Sequence, residues 1–194
     1  MTQVKGQVEE PQQRDPEREA RRRAALTQVR QYPDPVLRMR ANEVEAFDEG
    51  LASLAERMSA LMQEASGVGL AAPQIGILRR VLVYQPTEED PVTVLVNPVL
   101  TASSEEQETK EEGCLSLGAA SVVVEVERPL RVTVEARSPA DDELSVELEG
   151  LPARIVQHEL DHLDGVLILD RTTDEQRRVA LGQLRPQPVL GPLA

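Results

Sequence analysis

The sequence predicts a single α+β domain: short, mostly antiparallel strands around a central helix, with an amphipathic helix on the N-terminal side of them. Three observations predict it. At 194 residues and 40% hydrophobic content, the chain suits one domain with a sizeable core. Its apolar patterning runs helix, several short strands, helix, rather than the regular alternation of an α/β fold. With a single cysteine no disulfide can form within the chain, which excludes a disulfide-stapled scaffold. The only aromatic residues are Tyr32, Phe47 and Tyr84, so Val, Leu, Ile, Ala and Met must build the core.

Residues 1–27 are charged, Gln- and Pro-bearing and nearly free of large apolar groups, so a disordered arm is expected there. Its Arg21-Arg22-Arg23 run suits either a solvated tail or a contact with RNA or an acidic surface. The domain proper is expected over 28–174. It opens with Tyr-Pro-Asp-Pro (32–35), in which two prolines fix φ and the aspartate can bond its own backbone, a turn signal. From Glu43 to Ala65 the apolar positions Leu51, Leu54, Met58, Leu61 and Met62 recur at spacings of three and four, the mark of an amphipathic helix ended by Ser66-Gly67. Arg80–Tyr84, Val92–Val96, Val122–Val126, Leu130–Ala136 and Leu144–Leu148 read as strands, with Asp141-Asp142 as a hairpin turn. Pro152 suits the first turn of a second helix, LPARIVQHELDHL. Residues 175–194 are expected to form a short helix or an irregular, Pro-punctuated tail.

Charge is uneven. The chain carries 21 basic and 34 acidic side chains, a net −13; residues 1–40 hold 9 and 6, a net +3, leaving 12 and 28, a net −16, for the rest. So acidic a body repels nucleic-acid phosphates, and no specific DNA binding is expected. No apolar run approaches the roughly 20 residues needed to span a bilayer, and the N-terminus lacks the apolar stretch of a signal peptide. A cytoplasmic protein is the expectation.

Three segments carry chemistry. In His158-Glu159-Leu160-Asp161-His162, histidines at i and i+4 share one helical face, so both rings can meet one metal ion, and Glu159 can take a proton from a water. These are the chain's only histidines. The spacing continues toward a third histidine through Gly165, but Ile168 occupies that position, which excludes a metzincin. A third ligand is offered upstream by Glu111-Glu112-Gly113-Cys114-Leu115-Ser116-Leu117. Cys114 can be a small core residue, a nucleophile or a thiolate ligand; its acidic and small neighbours argue against a smooth core strand. The third segment, Gly67-Val68-Gly69-Leu70-Ala71-Ala72-Pro73-Gln74-Ile75-Gly76, lacks the features of a dinucleotide or phosphate loop. It reads either as a tight turn or as backbone running close to another object, with the Gln74 amide free to donate to a carbonyl oxygen.

Together GVGLAAPQIG (67–76), EEGCLSL (111–117) and QHELDHLDGVL (157–167), with PDPVLR (33–38) and VNP (96–98), resemble the motifs of the peptide deformylase family, in its order and over roughly residues 28–172. The resemblance implies hydrolytic removal of the formyl group from N-formylmethionine of nascent chains. It implies Cys114, His158 and His162 as metal ligands, the two histidines on the central helix, and Glu159 as general acid/base. Gln74 and the Leu115 N–H would stabilise the oxyanion, Gly69 would pair with the substrate backbone, and Val68 would wall the methionine pocket. It implies ferrous iron, with zinc, nickel or cobalt able to occupy the site, whereas the ligand set alone favours zinc. Where the family often has a proline and then a peptide-contacting arginine or tyrosine, this chain has Gly118-Ala119-Ala120-Ser121. Four arginines against Asp174 and Glu175 over 171–194 suit a weak ribosome contact. The rival readings are another metal-dependent amidase or peptidase, or a catalytically silent relative that binds nascent chains or ribosomes.

Overall fold

A computed structural model describes residues 15–184 of the chain. Within them run α1 (Pro16–Leu26), α2 (Glu49–Glu64), β1 (Gly69–Ala71), β2 (Val81–Tyr84), β3 (Thr93–Ser103), β4 (Gln107–Gly113), β5 (Val123–Pro129), β6 (Arg131–Arg137), β7 (Glu143–Glu149), α3 (Leu151–Leu163) and α4 (Asp174–Leu184). Strands β1-β2-β3-β6-β7 form one sheet in that order, and β4 and β5 form a separate two-stranded ribbon. All of these strand pairings are antiparallel.

The period-two alternation of strands divides the sheet into two faces. Leu70, Val81, Val83 and Val96 pack with Leu51, Leu54, Met58, Leu61 and Met62 of α2. Ala71, Leu82, Tyr84 and Leu95 pack with Ala153, Val156, Leu160 and Leu163 of α3. A third cluster joins Val124 and Val126 of β5 to Leu117, Leu169 and Ala180 of α4. Helix α3 also contacts β5, so it lies between sheet and ribbon. Beyond its end Gly165 takes φ +74°, and a Cβ there would sit 2.6 Å from the Arg38 carbonyl oxygen, so the turn after α3 closes tightly on the 35–39 segment.

Several boundaries differ from expectation, each for a local reason. Helix α2 starts at Glu49 rather than Glu43, because Asp48 caps it by accepting from the Leu51 N–H at 3.0 Å. The preceding residues are held extended instead: Asn97 bonds both the N–H and the C=O of Val44 at 2.8 and 2.9 Å. Strand β3 runs on to Ser103, and the polar segment Gln107–Gly113, not anticipated, pairs residue for residue with β5. Cross-strand pairing of the backbone overrides its low β-propensity. Within the expected arm 1–27, residues 16–26 instead form α1. Asp15 caps it, Pro16 presets its first turn, and its Ala25 is buried in the α2 cluster. The rest of that arm, residues 1–14, and the end of the C-terminal tail, 185–194, lie outside the described residues. No helix among the described residues is long and apolar enough to cross a membrane.

Candidate active site and metal centre

Helix α3 carries His158 and His162 one turn apart, their ring centroids 5.0 Å from each other in an edge-on arrangement. The turn that leaves β4 brings Cys114 to the same place, with Sγ 3.2 Å from His162 Nε2. One donor atom from each of Cys114, His158 and His162 lies within 4.8 Å of the others. Around an ion with bonds of about 2.1–2.3 Å, tetrahedral N and S ligands sit about 3.4–3.7 Å apart, so this donor set fits a divalent metal with one position left open. His162 is buried behind the cleft, while Cys114 and His158 line its wall.

Glu112, on β4 two residues before Cys114, sets the orientation of His158: its Oε2 lies 2.9 Å from His158 Nδ1. Burial alone would raise the Glu112 carboxyl. Hydrogen bonds from His158 and Arg128, with their charges, instead hold it down to about 2. An ionised carboxylate only accepts, so His158 Nδ1 is the donor and its Nε2 is turned toward the thiol. Arg128 grips Glu112 through Nε at 2.7 Å and Nη2 at 3.0 Å, and Arg154 adds a contact at 2.8 Å. Arg128 also reaches Asp161 at 2.9 Å, and Asp161 in turn accepts from Arg171 at 2.6 Å. Against the lowering effect of burial, bonds to Cys114 and Glu112 raise the His158 imidazole well above its ordinary value. Burial and the neighbouring positive groups push His162 well below it.

Glu159 is buried at the bottom of the cleft, where desolvation pushes its carboxyl up to about 7, against the lowering effect of His158 and Arg128. A carboxyl poised near neutrality suits the exchange of protons in both directions. The backbone of β1 lies directly on it: a Cβ at Gly69 would stand 2.4 Å from Glu159 Oε1 and 2.9 Å from Ile155 Cγ2. Only a glycine admits that approach.

Gln74 closes the site from the turn after β1. Its Oε1 accepts from the Ala71 N–H at 2.8 Å, which fixes the amide so that Nε2 faces Ser116 Oγ at 3.3 Å and Cys114 Sγ at 3.8 Å. The cleft itself has a volume of about 270 Å³, walled by Val68, Leu115, Leu151 and Ile155 and floored by Glu159 and Cys114. Strand β1 is the edge of its sheet. The Gln85 N–H bonds the Val68 carbonyl at 2.9 Å, so the antiparallel alternation turns both backbone groups of the next residue, Gly69, away from β2. They face the cleft as an unpaired strand edge.

The structure brings Val68, Gly69, Gln74, Cys114, Leu115, His158 and Glu159 together around one cleft, with His162 behind it. Glu112, Arg128, Arg154 and Asp161 escaped the sequence reading. A signal for them exists. Val124, Val126 and Arg128 alternate onto the buried face of β5, which places a guanidinium where only a paired charge is stable. Arg154, His158 and Asp161 follow at helical spacing on α3.

The family model described as polypeptide deformylase matches residues 26–178. The chain is 45% identical over 150 residues to the peptide deformylase of Natranaerobius thermophilus, covering 77% of this chain and 94% of that protein. It is 47% identical over 152 residues to the peptide deformylase of Thermotoga neapolitana, covering 78% and 90%. Among solved structures it is similar to the peptide deformylase of Thermotoga maritima, with a TM-score of 0.71 and 43% identity over 75% of this chain and 96% of that one. It is also similar to Arabidopsis thaliana peptide deformylase 1B in complex with an inhibitor, with a TM-score of 0.76 and 39% identity over 81% and 87%.

Proposed function

The chain belongs to the polypeptide deformylase family, and from that premise we propose how its own residues perform the family's reaction. It is a metal-dependent hydrolase that removes the formyl group from N-formylmethionine of nascent polypeptides and releases formate. The observation that carries the residue assignments is the convergence of Cys114, His158 and His162 beside a buried glutamate and an oriented amide.

Cys114, His158 and His162 would hold one divalent ion. Bound there, the ion supplies Lewis acidity that favours ionisation of a water and polarises the formyl carbonyl. Glu159 accepts the proton that the attacking water loses and delivers it to the departing amine nitrogen, the step that breaks the formyl C–N bond. Negative charge grows on the formyl oxygen, and the Gln74 Nε2 and the Leu115 N–H donate to it. Gly69 pairs its outward N–H and C=O with the substrate backbone, which joins β1 as an added strand. Val68, with Leu115, Leu151 and Ile155, encloses the methionine side chain.

The central helix α3 is thus read as the metal-binding helix, within a catalytic domain placed at 28–174, and α2 as the supporting amphipathic helix. Ferrous iron is the proposed ion, with zinc, nickel or cobalt able to replace it; metal analysis of anaerobically purified protein tests this. We further propose a cytoplasmic location, and a weak ribosome contact through residues 175–194, tested by pelleting with ribosomes with and without that segment. Formate release from formyl-Met-Ala-Ser, with no cleavage of unformylated peptides, is the expected result for the function. Cleavage of unformylated peptides would instead identify a peptidase, and absence of both activities in metal-loaded protein a silent relative.

A further inference from the structure

Helix α1 lies almost wholly before the segment that matches the family, yet its Arg22 bonds residues that adjoin the cleft. Arg22 bridges the two segments that flank it. Its Nε donates to the Ala65 carbonyl at 3.2 Å and its Nη2 to the Ala119 carbonyl at 3.4 Å. Ala65 leads into Ser66-Gly67-Val68, one wall of the cleft, and Ala119 adjoins Ala120 on the other. A second cavity of about 390 Å³ shares Ser66, Gly67 and Val68 with the first and is bounded by Arg18 and Glu88. The 66–68 segment is thus a wall common to both cavities, and the second is bordered by Arg18 of α1. Arg18 is already paired with Glu88 at 3.1 Å. Among the described residues no carboxylate lies within ion-pair distance of Arg22, and its two hydrogen bonds go to neutral carbonyls, leaving other guanidinium protons for a ligand.

We propose that Arg22 is a specificity-determining residue, which favours formylated peptides carrying a carboxylate about three residues after the formyl group. This rests on the deformylase reading of the cleft. A substrate strand laid along β1 has its formyl end at Gly69, against Glu159, and runs back over Val68 and Gly67 toward Ser66. Three extended residues cover about 10 Å, which brings the third substrate side chain level with the guanidinium. The acids that also line the cleft, Glu111 on β4 and Glu159 at its floor, oppose an acidic peptide, and Arg22 is the cation placed to offset them. Glu112 and Arg154 neutralise one another at 2.8 Å. In contrast to a body of net −16 over residues 41–194, which repels acids, α1 carries the basic run Arg21-Arg22-Arg23, and of the three Arg22 is the one bonded to both flanks of the cleft.

The test is steady-state formate release by the metal-loaded full chain from two C-terminally amidated peptides, formyl-Met-Ala-Asp-Ala and formyl-Met-Ala-Asn-Ala. The wild type is expected to show a KM about twofold to fivefold lower for the Asp peptide, the range of an exposed ion pair, with similar kcat. Raising ionic strength from about 0.05 M to about 0.5 M should erase the difference. Arg22→Gln should abolish the preference by raising KM for the Asp peptide alone, and Arg22→Lys should retain most of it. No preference in the wild type, or an Arg22→Gln loss equal on both peptides, overturns the proposal and leaves the deformylase reading standing. Failure of the wild type to release formate from either peptide overturns both.

Discussion

Replacing Glu112 by glutamine is a change of one atom type, and the geometry sets its cost. The carboxylate accepts four charge-assisted hydrogen bonds, two from Arg128, one from Arg154 and one from His158. A carboxamide has one acceptor oxygen and one donor NH2. Whichever way it is turned, two of the four donors meet an N–H. Each such bond contributes about 1.5–3 kcal/mol, and loss of a partner from a buried ion pair costs about 3–5 kcal/mol, so a destabilisation of ~3–5 kcal/mol is expected. The carboxyl's own ionisation agrees: held at about 2 against an ordinary 4.5, it corresponds to ~3 kcal/mol of stabilisation. For a domain of this size that lowers Tm by roughly 6–20 °C. With the charged acceptor of His158 Nδ1 gone, metal affinity should also fall about 10–100-fold. Thermal unfolding of loaded and chelator-stripped protein, with metal content after dialysis, reads both effects. A Glu112→Gln protein that unfolds within about 2 °C of the wild type and keeps its metal would refute the reasoning.

The same carboxylate gives a pH signature. Because its folded value is depressed, its stabilisation is complete above about pH 4.5 and is lost as pH falls through about 2. Urea titrations of stripped protein should show that acid slope in the wild type and its flattening in Glu112→Gln. Glu159→Gln should retain metal while kcat falls about 10²–10⁴-fold, since the proton relay is lost and the ligands are untouched; full activity would sink the assignment. Cys114→Ser should lose metal and activity together, as metal analysis and formate release would read. Gly69→Ala pushes a methyl into Glu159 and Ile155, so turnover should drop at least about tenfold while the loaded protein still binds metal. Gln74→Ala should cost about 10²–10³ in kcat with metal content unchanged.

The readable parts of this chain are those in which sequence neighbours are also spatial neighbours. The i, i+4 histidines needed only a helix, and α2 announced its buried face through Leu51, Leu54, Met58, Leu61 and Met62. Strand β4 was hidden because its side chains are polar and its order comes from pairing with β5 across the chain. The start of α2 was misplaced because a cap at Asp48 and a distant clasp by Asn97 outweigh the apolar pattern. Helix α1 was missed for a similar reason. Its composition is that of an arm, but the Asp15 cap, the buried Ala25 and the distant contacts of Arg18 and Arg22 anchor it. The carboxylate–guanidinium network behind His158 joins β4, β5 and α3, and no local window contains more than a fragment of it.

Cys114 is the chain's only cysteine, and it lines the cleft. Any thiol-selective reagent therefore has a single address in this protein, and that address is a proposed ligand. Alkylation speed becomes an occupancy gauge without background: slow when the ion is seated, fast when it has been stripped, with one label per chain at completion. The gauge needs no substrate, so it can follow metal exchange and loss of iron to air at moments when turnover reports nothing.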